Sequence, residues 1–440
     1  MDVSSTISVV DQLLEPASSS GYSTERFEEP YLLVIDQLLP FYRNSAGSLF
    51  ANELWQKDLR MHLAYLGNLM IACPCLLREP PTDAVSLDHL RFEVIEMPVQ
   101  RSAKDGLKKL PVILRQLWLA VGRATVVHST IAGWPFPMGW LVLPIAIVRG
   151  KLRVIVVESA PWRLQSGLAA GWRKRLRAGV QEVLGRWFVR NASLTIFTQD
   201  EYRRSMMGGN SPRGHVIPAS WIDEENVLDD LAALALWKNK RLLPHLRILF
   251  AGRLVAEKGL QVLLDAMAQL NAEGFQIALD ILGDGPQRKD CDELKALTGR
   301  SIRINTLGVV PYGEPFLLQV RGYDAVVIPS ISDEQPRLVF DAYSQAVPVL
   351  ASSTPGLRSC VREGETGRFF APNDAHSLAE LLKSVTRDEL AKMGLRCLSE
   401  ARSMTHEEMH RKRAALLAKL LHPDQGKPLA SSSESFPKGL

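Results

Sequence analysis

The chain has 440 residues, a hydrophobic share of 46%, a charged share of 23% and a formal net charge of +4. That length holds two ordinary domains with large cores, and that composition excludes a disordered chain. The small net charge argues against nucleic acid as a general partner. The longest apolar run, Met138 to Val148, is broken by Pro144 and is too short to span a bilayer. The first residues lack the basic and apolar regions of a secretion signal, so a cytoplasmic protein is expected. Cys73, Cys75, Cys291, Cys360 and Cys397 are scattered, and Cys73-Pro-Cys75 has no second pair to complete a zinc site. All five are expected as reduced thiols, with no metal.

Residues 1–30 are Ser- and acid-rich without periodicity and are expected as a mobile tail. Tyr31 to Ile35 reads as the first strand. Asp36 to Gly47 is then a loop leading into a helix from about Leu49 to Tyr65. Strands are predicted at Leu69–Ala72, Phe92–Met97 and Ala124–Val127, the last with His128 at its end, and a helix at Leu107–Ala120. Gly139–Val148 fits either a helix or a buried strand. Leu152–Val157 is a strand ending at Glu158, followed by Trp162 and Arg163.

A basic segment comes next: Lys151 to Val216 holds 12 Lys and Arg against 4 Asp and Glu. Within it Trp172, Leu176, Val180, Val183, Leu184 and Trp187 recur at helical spacing, interleaved with arginines. Two readings stay open for 172–190. The stripe can pack on a sheet with its charges solvated, or the helix can hold the protein on an anionic membrane surface.

Leu194–Phe197 is a further strand, and Val216 to Pro218 closes this half. Residues 31–222 are thus a first domain and 223–243 a linker. Residues 244–400 restart the alternation, with strands at Leu246–Ala251, Ile277–Leu282, Ile302–Leu307, Ala325–Ile328 and Val347–Ala351. Alternating strands and helices give parallel sheets covered on both faces. Residues 401–422 are a terminal helix that can cross back to the first domain, and 423–440 a disordered tail.

Open parallel sheets bind ligands beyond the carboxyl ends of their strands. In the second half these ends carry Gly252-Arg253 with Lys258, Gly283-Asp284-Gly285, and Pro329 to Arg337. Two cations, several glycines and a helix start on one rim suit a diphosphate, although Arg253 and Lys258 also read as plain surface charges. Asp333 sits in the loop before a helix from about Pro336 to Ala346, and Asp341 a turn or more inside it.

Phe250-Ala-Gly-Arg-Leu-Val-Ala-Glu-Lys-Gly-Leu260, Leu282-Gly-Asp-Gly-Pro286 and Asp333-x7-Asp341 followed by Pro348-Val349 resemble the retaining glycosyltransferases of family 4. The resemblance covers about Leu246 to Asp374 strongly and the first half weakly. It implies a GT-B fold, two Rossmann-like domains facing a cleft, and a hexosyl-type transferase. Arg253 and Lys258 would bind the diphosphate of a nucleotide-sugar donor. Asp333 would contact the transferred sugar, Asp341 the ribose, and the amides near Arg337 and Leu338 the phosphates. His128 would lie near donor sugar and acceptor. Gly47, Glu158, Trp162 and Arg163 would lie on the acceptor side, facing a saccharide or lipid-linked saccharide. No cofactor or metal is implied. The sequence departs from the family in having Asp for both acids and Glu334-Gln335-Pro336-Arg337 after the first. Another GT-B enzyme, such as a nucleotide-sugar epimerase, and a non-catalytic nucleotide-sugar-binding scaffold are the rival readings.

Overall fold

The computed structural model describes residues 26–37, 39–133, 137–163, 171–209, 211–297, 302–331 and 335–422. The first half begins with β1 (Tyr31–Val34), β2 (Phe41–Arg43), β3 (Leu49–Asn52) and α1 (Glu53–Tyr65). Next come β4 (Leu69–Leu77), β5 (Ala84–Ser86), β6 (Glu93–Met97), α2 (Ala103–Arg123), β7 (Val126–Ser129) and α3 (Gly139–Val148). β8 (Leu152–Val157), α4 (Trp172–Arg190), β9 (Leu194–Phe197), α5 (Asp200–Met207) and β10 (Gly214–Val216) complete it. The sheet order is β10-β9-β8-β7-β1-β4-β2-β3-β5, with β6 also paired to β4. Every pairing is parallel except those of β3, which runs against β2 and β5.

The central strands β1 and β4 are apolar almost without a break because both faces are covered. One face meets Ile113, Leu117, Phe188 and Val189 from α2 and α4. The other meets Leu59 from α1 and Met409 and Leu417 from the last helix.

The second half contains α6 (Asp230–Lys240), β11 (Leu246–Ala251), α7 (Leu260–Ala272), β12 (Ile277–Leu282) and α8 (Arg288–Leu297). It continues with β13 (Ile302–Gly308), α9 (Glu314–Arg321), β14 (Ala325–Ile328), α10 (Leu338–Ser344), β15 (Val349–Ser352) and α11 (Pro355–Arg358). It closes with β16 (Gly367–Phe370), α12 (Ala375–Ser384), α13 (Arg387–Arg402) and α14 (His406–Leu421). Its sheet is wholly parallel, in the order β13-β12-β11-β14-β15-β16. A mostly parallel first sheet and a wholly parallel second one form two Rossmann-like domains, as in the GT-B fold.

Four local expectations change. Leu49–Asn52 is a strand, not the first turn of α1, because Leu49 and Ala51 are buried while Asn52 is exposed, a period of two. Asn52 instead caps α1, its side chain accepting from the Leu54 N–H. The linker is shorter than 223–243, since α6 belongs to the second domain: buried Trp237 donates from Nε1 to the Ala346 carbonyl at 3.0 Å. Helix α10 starts at Leu338, so Asp341 lies in its first turn. Phe27 is buried and bridges to Leu66, so the segment before β1 is docked from there onward. Residues 1–25 and 423–440, expected as tails, lie outside the described residues.

Candidate functional site

Each sheet has a strand at which the chain reverses its direction of winding, β1 in the first and β11 in the second. A cavity opens beyond the carboxyl end of each, where such folds place ligands. The first cavity, about 700 Å³, is walled by Asp36, His128, Glu158 and Trp162 from strand ends and by Lys174 and Arg177 from α4. The second, about 420 Å³, is walled by Gly252, Lys258, Pro329, Gln335, Arg337 and Leu338. Glu158 and Ser159 line both, so the two meet there.

The second cavity lies between the domains, because Glu158, Ser159, Thr198 and Ala219 come from the first half. Gln335 Oε1 accepts from the Ala219 N–H at 3.3 Å. Arg337 reaches Glu158 at 4.0 Å and lies over the Trp221 ring. Gln335 Nε2 is a buried donor without a protein partner among the described residues. A buried unpaired donor costs about 1–3 kcal/mol, which a ligand's acceptor atom or a water can offset. Lys258 and Arg337 add positive charge to the same wall.

Glycine has two uses here. Gly252 has φ +154°, and a Cβ there would meet nothing, so its backbone stands open to the cavity. At Gly283 a Cβ would lie 1.8 Å from the Gly252 carbonyl, and at Gly285 2.5 Å from that of Leu254. Gly283 and Gly285 therefore let the β12 loop pack on the β11 loop, and neither lines the second cavity.

Asp341 is buried behind this wall and accepts a hydrogen bond from Tyr312 Oη at 2.9 Å. Burial pushes its pKa up to about 7, against the pull of the Tyr312 hydrogen bond and of Arg337 and Lys57. It does not line the second cavity. Arg253 is exposed and forms no ion pair among the described residues. Asp333 lies outside the described residues.

In the first cavity His128 is paired in register with Leu33 on β1 and joins Tyr31 Oη through Nδ1 at 3.0 Å. Burial, then the charges of His62 and Arg413, lower its pKa to about 3, so it is a neutral imidazole. Trp162 lines the cavity and donates from Nε1 to Glu182 at 2.8 Å. Arg163 grips the same carboxylate at 2.8 Å, fastening the β8 loop to α4 without lining the cavity. Burial opposes ionisation of Glu182, but the hydrogen bonds from Arg163, Trp162 and Arg186 outweigh it and bring its pKa down to about 2. Gly47 is at the β2–β3 turn, with φ +88°, and lines neither cavity.

The first cavity also has residues that sequence reasoning missed. Asp58 and His62 on α1 and Arg413 on α14 line it. Asp58 Oδ1 lies 3.3 Å from His406 Nε2 and 3.0 Å from His410 Nε2, and its other oxygen 3.1 Å from His62. Burial alone would raise the Asp58 pKa, but His62 and the imidazole hydrogen bonds hold it well below the usual range. Asp58, His406 and His410 have the donor types of a metal site, with atoms within 4.8 Å of one another. Three imidazole partners satisfy this carboxylate without an ion. Trp55 Nε1 and Arg413 Nε remain as buried donors with no protein partner among the described residues. The available signal was the i, i+4 spacing of Asp58 with His62 and of His406 with His410, which puts each pair on one helix face.

Residues 237–404 match the family described as "Glycosyl transferases group 1". A D-inositol 3-phosphate glycosyltransferase of Nocardia farcinica is 34% identical over 164 residues, 35% of this chain and 36% of that protein. An alpha-D-kanosaminyltransferase of Streptomyces kanamyceticus is 26% identical over 32% of this chain and 36% of its own length. These matches thus span about a third of each relative. Among solved structures, a sucrose-phosphate synthase from Thermosynechococcus elongatus superposes with a TM-score of 0.62 at 17% identity, covering 90% of this chain and 100% of that one. Anabaena HepE in complex with UDP gives a TM-score of 0.60 at 15% identity, over 89% and 100%. At such identities the likeness is one of fold.

Proposed function

We propose, from the match of residues 237–404 to the glycosyl transferases group 1 family and from the GT-B fold, that the protein transfers a hexosyl group from a nucleotide diphosphate sugar to a saccharide or lipid-linked saccharide, with retention of configuration. The observation that carries the proposal is the pair of cavities meeting at Glu158 and Ser159. The second cavity takes the donor. Lys258 and Arg337 stand where a diphosphate's charge would be neutralised, Gly252 offers open backbone, and Gln335 Nε2 offers an unpaired donor. The first cavity takes the acceptor, whose hydroxyls suit the unpaired Trp55 and Arg413 donors.

In the reaction the bond from the sugar's anomeric carbon to the donor phosphate breaks on the face where the acceptor oxygen bonds. The departing diphosphate takes the acceptor's proton, so no side-chain base is needed. Preorganised cations stabilise the leaving charge, and no metal or other cofactor is required. His128, neutral and held by Tyr31, suits a hydrogen-bonding role beside the transferred sugar. Such a role places the protein in polysaccharide or glycoconjugate assembly, in the cytoplasm and in part at a membrane surface.

The test is a screen of UDP-, GDP- and ADP-sugars for hydrolysis and for thermal protection. One donor is expected to be turned over slowly with water as acceptor and to raise the melting temperature. Protection by a nucleoside diphosphate without turnover of any donor, with saccharides present, would instead support a binding scaffold.

A further inference from the structure

Helix α4 turns one mixed face into the protein and an apolar one outward. Gly185, Phe188 and Val189 are buried, and Lys174, Arg177, Ala178 and Gln181 line the first cavity. At 100° per residue these seven fall on one side. Trp172, Leu176, Val180, Val183 and Trp187 fall on the opposite side, and all are exposed, Trp172 by 70% and Val183 by 68%. The helix carries six basic residues and one acidic residue. That acid, Glu182, is engaged by Arg163 and Arg186. Arg173 sits over the Trp172 ring, with its charge beside the apolar stripe.

We propose that α4 is an interfacial helix that seats the first domain on an anionic bilayer leaflet. The apolar face enters the boundary between headgroups and chains, and the flanking arginines pair with lipid phosphates. Tryptophans at the helix's start and near its end suit that boundary, where one side of the ring is apolar and the other wet. The charge selects a membrane over a second copy of this chain, because two such faces brought together would appose Arg173, Arg175, Arg186 and Arg190 of each copy, and the helix's one acid, Glu182, is already engaged. The consequence for the acceptor rests on the lipid-linked reading above. The leaflet lies one helix diameter, about 10 Å, from Lys174 and Arg177 in the cavity wall. A lipid-borne saccharide then needs to reach only around α4 to enter.

The experiment is sedimentation of the full chain with vesicles of phosphatidylcholine alone and of phosphatidylcholine mixed with phosphatidylglycerol. Binding is expected to be tighter by about tenfold or more on the mixed vesicles and to fall steeply with salt. Leu176→Glu and Val183→Glu change exposed positions, so they should melt like the parent protein while losing about tenfold or more in vesicle binding. Brominated lipids should quench Trp172 and Trp187, and the Trp172→Phe/Trp187→Phe variant should lose that quenching. Equal binding to neutral and anionic vesicles would overturn the proposal. So would full binding by Val183→Glu, or a dimer that this substitution dissociates without any effect on vesicles. Nucleoside diphosphate protection of the same variants separates the two readings. Vesicle binding without donor protection removes the donor site alone, and the reverse removes the docking surface alone.

Discussion

The two cavities occupy equivalent places on two similar sheets, yet their walls have little in common. The first is walled by strand ends and the loops after them, and by side chains of α1, α4 and α14, among them two tryptophans and two buried imidazoles. The second is walled by loop backbone, with Gly252, Pro329 and Ser330 beside Lys258 and Arg337. Sheet topology sets where a ligand can sit, and the elements crossing over the strand ends set which ligand it is. The second cavity's cations come from the second domain, Lys258 before α7 and Arg337 before α10. The first cavity's helical residues come from distant parts of the chain, α1, α4 and α14.

The largest expected effect comes from pressing on the second cavity's loops. Gly259 has φ +69°, and a Cβ there would lie 1.8 Å from the Pro329 carbonyl. Gly259→Ala should cost about 3 kcal/mol, read by urea unfolding, and should abolish nucleoside diphosphate protection because Lys258 and Pro329 shift together. The same change at Gly47, where a Cβ meets nothing, should cost only about 1 kcal/mol and leave protection intact.

Next in size is the imidazole cluster under the first cavity. His410→Ala removes a partner of buried Asp58 and should cost about 2 kcal/mol, loosening α14 from α1 in hydrogen exchange. The cluster also has a sign in pH. The pKa of His410 is lowered to about 3, first by burial, so below about 6.5 the unfolded chain binds the proton that the folded one refuses. Stability therefore falls as pH drops below that value, and His410→Ala should flatten the fall. If parent and variant lose melting temperature equally from pH 7 to pH 5, the cluster is not the source.

The second domain has the opposite sign. Asp341, with its pKa raised to about 7 by burial, holds a proton that the unfolded chain releases above about 4. It weakens the fold as pH rises from about 4 to about 7. Asp341→Asn should remove that slope and make the variant relatively more stable at neutral pH than at pH 5. An unchanged slope would show that Asp341 is ionised in the folded protein.

The smallest effect is expected at Arg337. Its ion pair with Glu158 spans 4.0 Å between half-exposed side chains, so Arg337→Ala should change stability by less than about 1 kcal/mol. Donor turnover should fall by about tenfold or more, since the same guanidinium faces the cavity. A stability loss matching the activity loss would make Arg337 a hinge contact and not a donor ligand.

The second domain's share of the second cavity was legible in the sequence because it falls in two short stretches. Gly252 and Lys258 follow β11, and Gln335 to Arg337 follow β14 just before α10, each after a strand whose apolar run marks its end. The first cavity was only partly legible. Asp58 and His410 are 352 residues apart and meet only because α14 crosses back onto α1. Helical spacing identified the α4 stripe but not its direction. Periodicity of Trp172, Leu176 and Val183 shows that they share a face, whereas burial of Phe188 and Val189 on the other face shows that this one is outside. Gly283 and Gly285 read as phosphate glycines, and the close approach of one loop to another accounts for them instead.

Donor binding in the interdomain cavity is proposed to run through Lys258. Calorimetric titration of the nucleoside diphosphate selected by the donor screen, into the parent protein and Lys258→Ala, tests it most directly. Saturable binding to one site by the parent, weakened by about tenfold or more in the variant, is the predicted result. Equal affinity in the two proteins would contradict it.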